Sequence, residues 1–143
     1  MIKQQQLIVS KENGDCLRAC LASILELPND DRLPNCEDNA DWVFAWEDFL
    51  KPFGLLLEYD QKRIWRNGYW VAGVPSLNFG PSISHAIVMF GDIVAFDPSP
   101  KQCYEIGRNL LGLKLVHGGH YLVVSDPSKL HKLEEYRKEA MTK

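Results

Sequence analysis

The chain has 143 residues, of which 45% are hydrophobic and 24% charged, and a formal net charge of -3. That length fits one domain with a real core that needs no disulfide or metal to hold it. The slight acidity, with no basic run interleaved with aromatics, gives no electrostatic case for nucleic acid or an anionic membrane surface as a partner.

The first residues, MIKQQQLIVSKENGD, hold no apolar stretch of signal-peptide kind. Nothing further on has the uninterrupted apolar length that spans a bilayer. A reducing, cytoplasmic setting is therefore expected, in which Cys16, Cys20, Cys36 and Cys103 stay thiols. They form no CxxC pair, and Cys16 and Cys20 with two histidines do not make a recognisable zinc motif. No metal or cofactor is expected.

The first predicted element is a helix over residues 16 to 26. Cys16, Leu17, Cys20, Leu21, Ile24 and Leu25 recur at the spacing of one buried helical face. Asp15 is placed as its N-cap, and Pro28 is expected to stop it near Leu27. A polar loop, PNDDRLPNCEDNAD, leads to a second helix from Asp41 to about Leu50, with Trp42, Ala45, Trp46 and Phe49 on one side. Pro52 and Gly54 end it. The character then changes. LLLEY, YWVAGV, HAIVMF, DIVAF and HYLVV are short, apolar and β-branched, and are separated by Gly, Pro, Asn, Ser or Asp, as strands are. The charged tail from Pro127 reads as a terminal helix that docks through Leu130, Leu133 and Tyr136. Helices first and antiparallel strands afterwards make an α+β domain, with no linker or repeat to divide residues 1–143.

A cysteine at a helix start raises a chemical question. Cys16 is either one more buried apolar group or a nucleophile. A nucleophile needs a base and an orienting group. In SHAIVMFGDIVAFDPSP, two apolar runs flank Gly91, which suits a tight hairpin turn of about three residues. Folded back on Gly91, His85 and Asp97 are equidistant from the turn and directly opposite, with Cβ atoms about 5 Å apart. Ile87, Met89, Ile93 and Ala95 then share their face, and Ala86, Val88, Phe90, Val94 and Phe96 take the other. Both faces are apolar, so the hairpin is expected to be central, and an Asp there needs a partner. The rival pair, His120 and Asp126, sits about 20 Å apart along one unbroken strand. His117 and His120 are read as marking a Gly-rich turn into that strand, and His131 as an exposed residue of the tail. Taken singly, His85 is more simply a satisfied core histidine and Asp97 a turn residue before Pro98. Their symmetry about Gly91, together with Cys16, favours the catalytic reading.

With those residues in hand, the chain resembles the papain-like cysteine peptidase superfamily in its small bacterial and phage-encoded form. The matching stretches are Gly14-Asp15-Cys16 through Leu27-Pro28, Ser84-His85-Ala86-Ile87-Val88, and Asp97-Pro98. The resemblance covers roughly residues 6 to 100 and keeps the order Cys, His, Asp. It implies a papain-like fold, with N-terminal helices packed on an antiparallel sheet and a C-terminal helix. It implies Cys16 as nucleophile, His85 as general base and later acid, and Asp97 as the orienting group. An upstream glutamine amide belongs to the superfamily's oxyanion hole; Gln6 is the candidate, with Gln5 behind it. Either lies further from the cysteine than in papain, and an exposed polar N-terminus is the plain alternative.

The helix N-terminus favours thiolate over thiol, and a protonated His85 adds to that. Glu12 and Asp15 work against it. Cys20, a turn further along the buried face, is assigned to packing. A groove for a peptide or protein substrate is expected between the Cys16 helix and the strands of His85 and Asp97, bordered by the Gly/Pro/Ser-rich residues 74–84. Trp65 and Trp70 are available to line it, although packing is the expected use of a tryptophan here. The expected activity is a cysteine hydrolase acting on an amide or isopeptide bond through a thioester acyl-enzyme. Two other readings stand beside it: an acyltransferase using the same triad, and a binding or inhibitory protein of phage origin that has lost catalysis.

Overall fold

The computed structural model describes residues 1–5, 7, 15–34, 42–60, 68–77, 79–100, 104–111, 113 and 115–141. Among them, helix α1 spans Cys16–Leu25 and α2 spans Trp42–Leu50, followed by a 3-10 turn at Lys51–Phe53. Five strands come next: β1 (Leu55–Asp60), β2 (Tyr69–Ser76), β3 (Gly80–Phe90), β4 (Ile93–Phe96) and β5 (His117–Val124). A second 3-10 turn, Pro127–Lys129, leads into α3, Leu130–Met141. The protein is α+β, as the order of its patterns predicts. No helix among the described residues is long and apolar enough to cross a membrane.

Helix α1 stops at Leu25, ahead of the point set by Pro28. Glu26 takes a left-handed conformation, φ +60°, and its N–H bonds back to the carbonyls of Ala22 and Ser23. Leu27 closes the turn with an N–H bond of 2.9 Å to the Ala22 carbonyl. The end of α2 follows the expected signals, because Gly54 adopts φ +70° after the Lys51–Phe53 turn. No other residue fits there. A Cβ on Gly54 would fall 2.1 Å from the Asp126 carbonyl oxygen.

The sheet is antiparallel throughout, in the order β1-β5-β2-β3-β4. The last strand in the chain is therefore an inner strand, paired with β1 on one side and β2 on the other. Gly119 explains how it fits: a Cβ at that position would lie 2.6 Å from the Trp70 ring. The expectation of a Gly-rich turn at His117–His120 is corrected by this pairing. Strand β5 begins at His117, and Gly119 makes room for an indole on the neighbouring strand.

The predicted hairpin exists with a two-residue connection, Gly91-Asp92, between the paired Phe90 and Ile93. It is not central, because β4 is the edge of the sheet. The edge is closed by residues 107–110. Val94 N–H donates to the Arg108 carbonyl at 2.9 Å, and Gly107 N–H to the Val94 carbonyl at 2.8 Å. The segment from residue 74 to 84, expected as a loop, holds the end of β2, turn residues Leu77 and Phe79 and the start of β3.

Both faces of the sheet are covered, as the apolar alternation implies. On one, Leu17, Leu21 and Leu25 of α1, Trp46 and Leu50 of α2, and Leu133 of α3 pack with Val71, Val88 and Phe96. On the other, Trp70, Ala72, Val74, Ile87, Met89 and Val94 pack with Tyr104 and Leu110. Each buried leucine contributes about 2 kcal/mol of transfer free energy. Helix α3 docks as its pattern predicts, with Leu130 and Tyr136 against the first core. Arg137 Nε adds a 2.7 Å hydrogen bond to the Leu25 carbonyl, a cation at the end of α1.

Candidate active site

Cys16 is the first residue of α1, where backbone N–H groups have no helical acceptor. It is half-buried and a free thiol. Asp15 occupies the N-cap position, but its side chain makes no capping bond. Its Oδ2 accepts from Leu7 N–H at 3.0 Å, Asn29 Nδ2 at 2.9 Å and the Arg18 guanidinium at 3.2 Å. The expected cap is thus corrected to a buried anchor, since a fully buried carboxylate needs a cation more than a cap. Arg18 offsets the charge that would otherwise oppose a thiolate next door. Asn29 extends the anchor to the N-terminal strand of chain, donating from Nδ2 to the Gln5 carbonyl at 2.9 Å. The Gln4 side-chain oxygen in turn accepts from the Asn29 N–H at 3.3 Å.

His85 comes from β3 and Asp97 from the residue after β4. Nε2 of the ring lies 2.7 Å from Oδ1 of Asp97. The Cys16 thiol is close enough to the ring to interact with it as well. Burial of the ring disfavours its charged form, but the bonds to Asp97 and Cys16 outweigh that and push His85 up to about 9. The imidazole thus has the thiol and the carboxylate both as neighbours.

The route to that arrangement differs from the simple fold-back. The register passes from Phe90–Ile93 and Met89–Val94 to Val88–Phe96, so Ala95 is an extra residue in β4. Val94 consequently packs with Ile87 and Met89, and Ala95 against the opposite core, the reverse of the expected division, whereas Phe96 packs with Val88 as expected. Continuing the register would set His85 opposite residue 99. The contact with Asp97 is diagonal, and it forms because the chain leaves the sheet after Phe96. Asp97 is held there by its own backbone bonds: Oδ1 accepts from Ser99 N–H at 2.9 Å and Oδ2 from Tyr104 N–H at 3.1 Å. Tyr104 is fixed in turn, its hydroxyl donating to the Pro75 carbonyl at 2.6 Å.

Beside the thiol opens a cleft of about 210 Å³, walled by Cys16, Trp42, Gly73, Ser84, Gly118 and His120 among others. It lies between α1 and the sheet, where the groove is expected. Its sheet side is built from the middles of β2 and β3 and from β5. Of the 74–84 segment Ser84 borders it, and the described turn residues Leu77 and Phe79 do not. Trp42 and His120 are among the lining residues that the sequence reading passed over. His120 reaches the cleft because β5 is inserted between β1 and β2, opposite Tyr59 and Val71. The pair of glycines before it, unusual within an apolar strand, was the available signal. His120 and Asp126 do not form a pair: Asp126 accepts from Ser128 at the start of the second 3-10 turn.

Cys20 is fully buried in the first core, in keeping with a packing role. Trp70 is buried too, its indole N–H donating to the Gly91 carbonyl at 2.7 Å. Gln5 is exposed. Gln6, Glu12, Cys36, Trp65 and Cys103 lie outside the described residues.

No protein-family model matches this sequence, and no curated protein or solved structure matches it either.

Proposed function

We propose that this chain is a cysteine hydrolase of papain-like type that cleaves an amide or isopeptide bond. The observation that supports this most is the Cys16–His85–Asp97 cluster, with the imidazole neighbouring both a thiol at a helix start and a fixed carboxylate. The sequence motifs at the three positions point the same way.

In the first half-reaction the Cys16 sulfur attacks the substrate carbonyl carbon, and a carbon–sulfur bond forms. The proton of the thiol is held on His85 as imidazolium beside Asp97 while the sulfur attacks, in keeping with the raised His85 pKa of about 9. The oxyanion is received by the Cys16 backbone N–H and, on this reading, by the Gln6 amide. As the intermediate collapses, the carbon–nitrogen bond breaks and His85 gives its proton to the departing amine. A water molecule then attacks the thioester with His85 as base, releasing the acid and restoring the thiol.

The test is a panel of acyl esters and peptide amides incubated with the protein and with Cys16→Ala, followed by intact mass. An acyl adduct on Cys16 that decays to free acid is expected, with none in Cys16→Ala. An absence of any adduct or turnover that depends on Cys16 would overturn the reading. Transfer of the acyl group to an added amine would assign the acyltransferase reaction to the same triad.

A further inference from the structure

A second hollow, of about 390 Å³, opens next to the Cys16 cleft and is lined by Trp42, Val43, Leu57, Tyr59 and His120. The two share a wall, since Trp42 and His120 border both. A group seated in this hollow therefore lies across those two side chains from the Cys16 cleft. The rings are arrayed around it from three elements, α2, β1 and β5. The His120 ring lies 4.7 Å from that of Tyr59 and 5.4 Å from that of Trp42.

We infer that this hollow is the specificity subsite of the enzyme, taking a large apolar or aromatic group carried by the substrate close to the scissile amide. The inference rests on the hydrolase reading and names the substrate class for it. The lining chemistry selects the occupant. Among the described lining residues none is a carboxylate, an ammonium or a guanidinium, so nothing there offsets the desolvation of a charged group. The one phenol is tied to the neighbouring strand, because Tyr59 Oη accepts from Gly118 N–H at 3.2 Å. That bond fixes the ring against the strand that walls the Cys16 cleft and leaves its aromatic surface to the hollow. Tyr59 nevertheless remains 46% exposed, so its ring has apolar area left for a ligand to cover.

The test compares alkylation of Cys16 by iodoacetamide, by N-(2-phenylethyl)iodoacetamide and by N-(carboxymethyl)iodoacetamide, read by peptide mass and corrected for the rate of each with free cysteine. In each case sulfur displaces iodide, the carbon–iodine bond breaks and the thiol proton is left with His85. The phenylethyl reagent is expected to react about tenfold or more faster than iodoacetamide at Cys16, and the carboxymethyl reagent no faster. Val43→Trp, which fills the hollow, should bring the phenylethyl ratio towards one, while Val43→Ala should keep it. On the unmodified protein, N-(2-phenylethyl)acetamide should protect Cys16 from iodoacetamide. Fast alkylation of Cys16 with equal corrected rates for all three reagents, and no protection, would remove the subsite and leave the hydrolase reading standing. A Cys16 no faster than an ordinary exposed thiol with every reagent would remove both.

Discussion

Oδ1 of Asp97 sits 2.7 Å from Nε2 of His85 although the two residues are not strand partners. The carboxylate can make that contact because its oxygens are also held by the N–H groups of Ser99 and Tyr104. Asp97→Ala leaves those two buried donors without their acceptor, at about 1–3 kcal/mol for each. The expected result is a loss of about 3 kcal/mol in urea unfolding, together with slower alkylation of Cys16 by iodoacetamide. A variant of unchanged stability would mean that the residue 97–104 segment holds itself in place by other means.

The pH dependence of stability follows from His85. Its pKa is raised from 6.5 to about 9 in the folded protein. A raised pKa means that the native state binds the proton more tightly than the unfolded chain. The His85 contribution is therefore fully present below about pH 6.5 and is lost as pH rises through about 9. Urea midpoints at pH 6, 7.5 and 9.5 should fall across that window for the parent protein, and His85→Gln should show a flatter profile. Parallel profiles for the two proteins would contradict the coupling.

The two cysteines of α1 should separate cleanly. Cys16 is half-buried and Cys20 is fully buried in the core. Cys16→Ala should abolish turnover at a stability cost under about 1 kcal/mol, whereas Cys20→Ala should cost about 1–2 kcal/mol and leave turnover in place. Far-UV circular dichroism and urea unfolding, run beside the activity assay, check both halves.

Behind the thiol lies the buried pair of Asp15 and Arg18, 3.2 Å apart and bridged by Asn29. Arg18→Met strands the Asp15 carboxylate in the interior and should destabilise by about 3–5 kcal/mol. The double variant Asp15→Asn with Arg18→Met should recover part of that loss. A double variant as unstable as the sum of the singles would show that the two side chains act independently.

Gly119 offers a packing test away from the site. A methyl group there meets the Trp70 ring at 2.6 Å, so Gly119→Ala should cost about 1–3 kcal/mol. Adding Trp70→Leu should return some of the loss, seen as a partial recovery of the thermal midpoint. No recovery would place the strain elsewhere in β5.

Local pattern carried much of the fold. The apolar stripe of residues 16–25, the Pro52 and Gly54 stop, the turn at Gly91 and the terminal helix were legible because each depends on neighbours in sequence. The candidate site was legible in the same degree. Cys16 was marked by its place at a helix start, and His85 and Asp97 by a shared hairpin. What stayed hidden was set by partners far along the chain. Asp15 reads as a cap until Arg18 and Asn29 are found folded around it. Strand β4 reads as central until β5 takes the inner place. His120 reads as a turn residue until β1 and β2 close on either side of it.

By itself, then, the order of residues determined which segments coil and which extend, and it put a thiol, an imidazole and a carboxylate at three defined positions. These outcomes follow from hydrophobic periodicity and turn chemistry, which act over a few residues. The tertiary structure alone decided the register slip at Ala95, the diagonal reach from His85 to Asp97 and the aromatic hollow of Trp42, Tyr59 and His120. Each of those is made by elements distant in the chain, whose positions are chosen by the total burial of the fold rather than by any local preference.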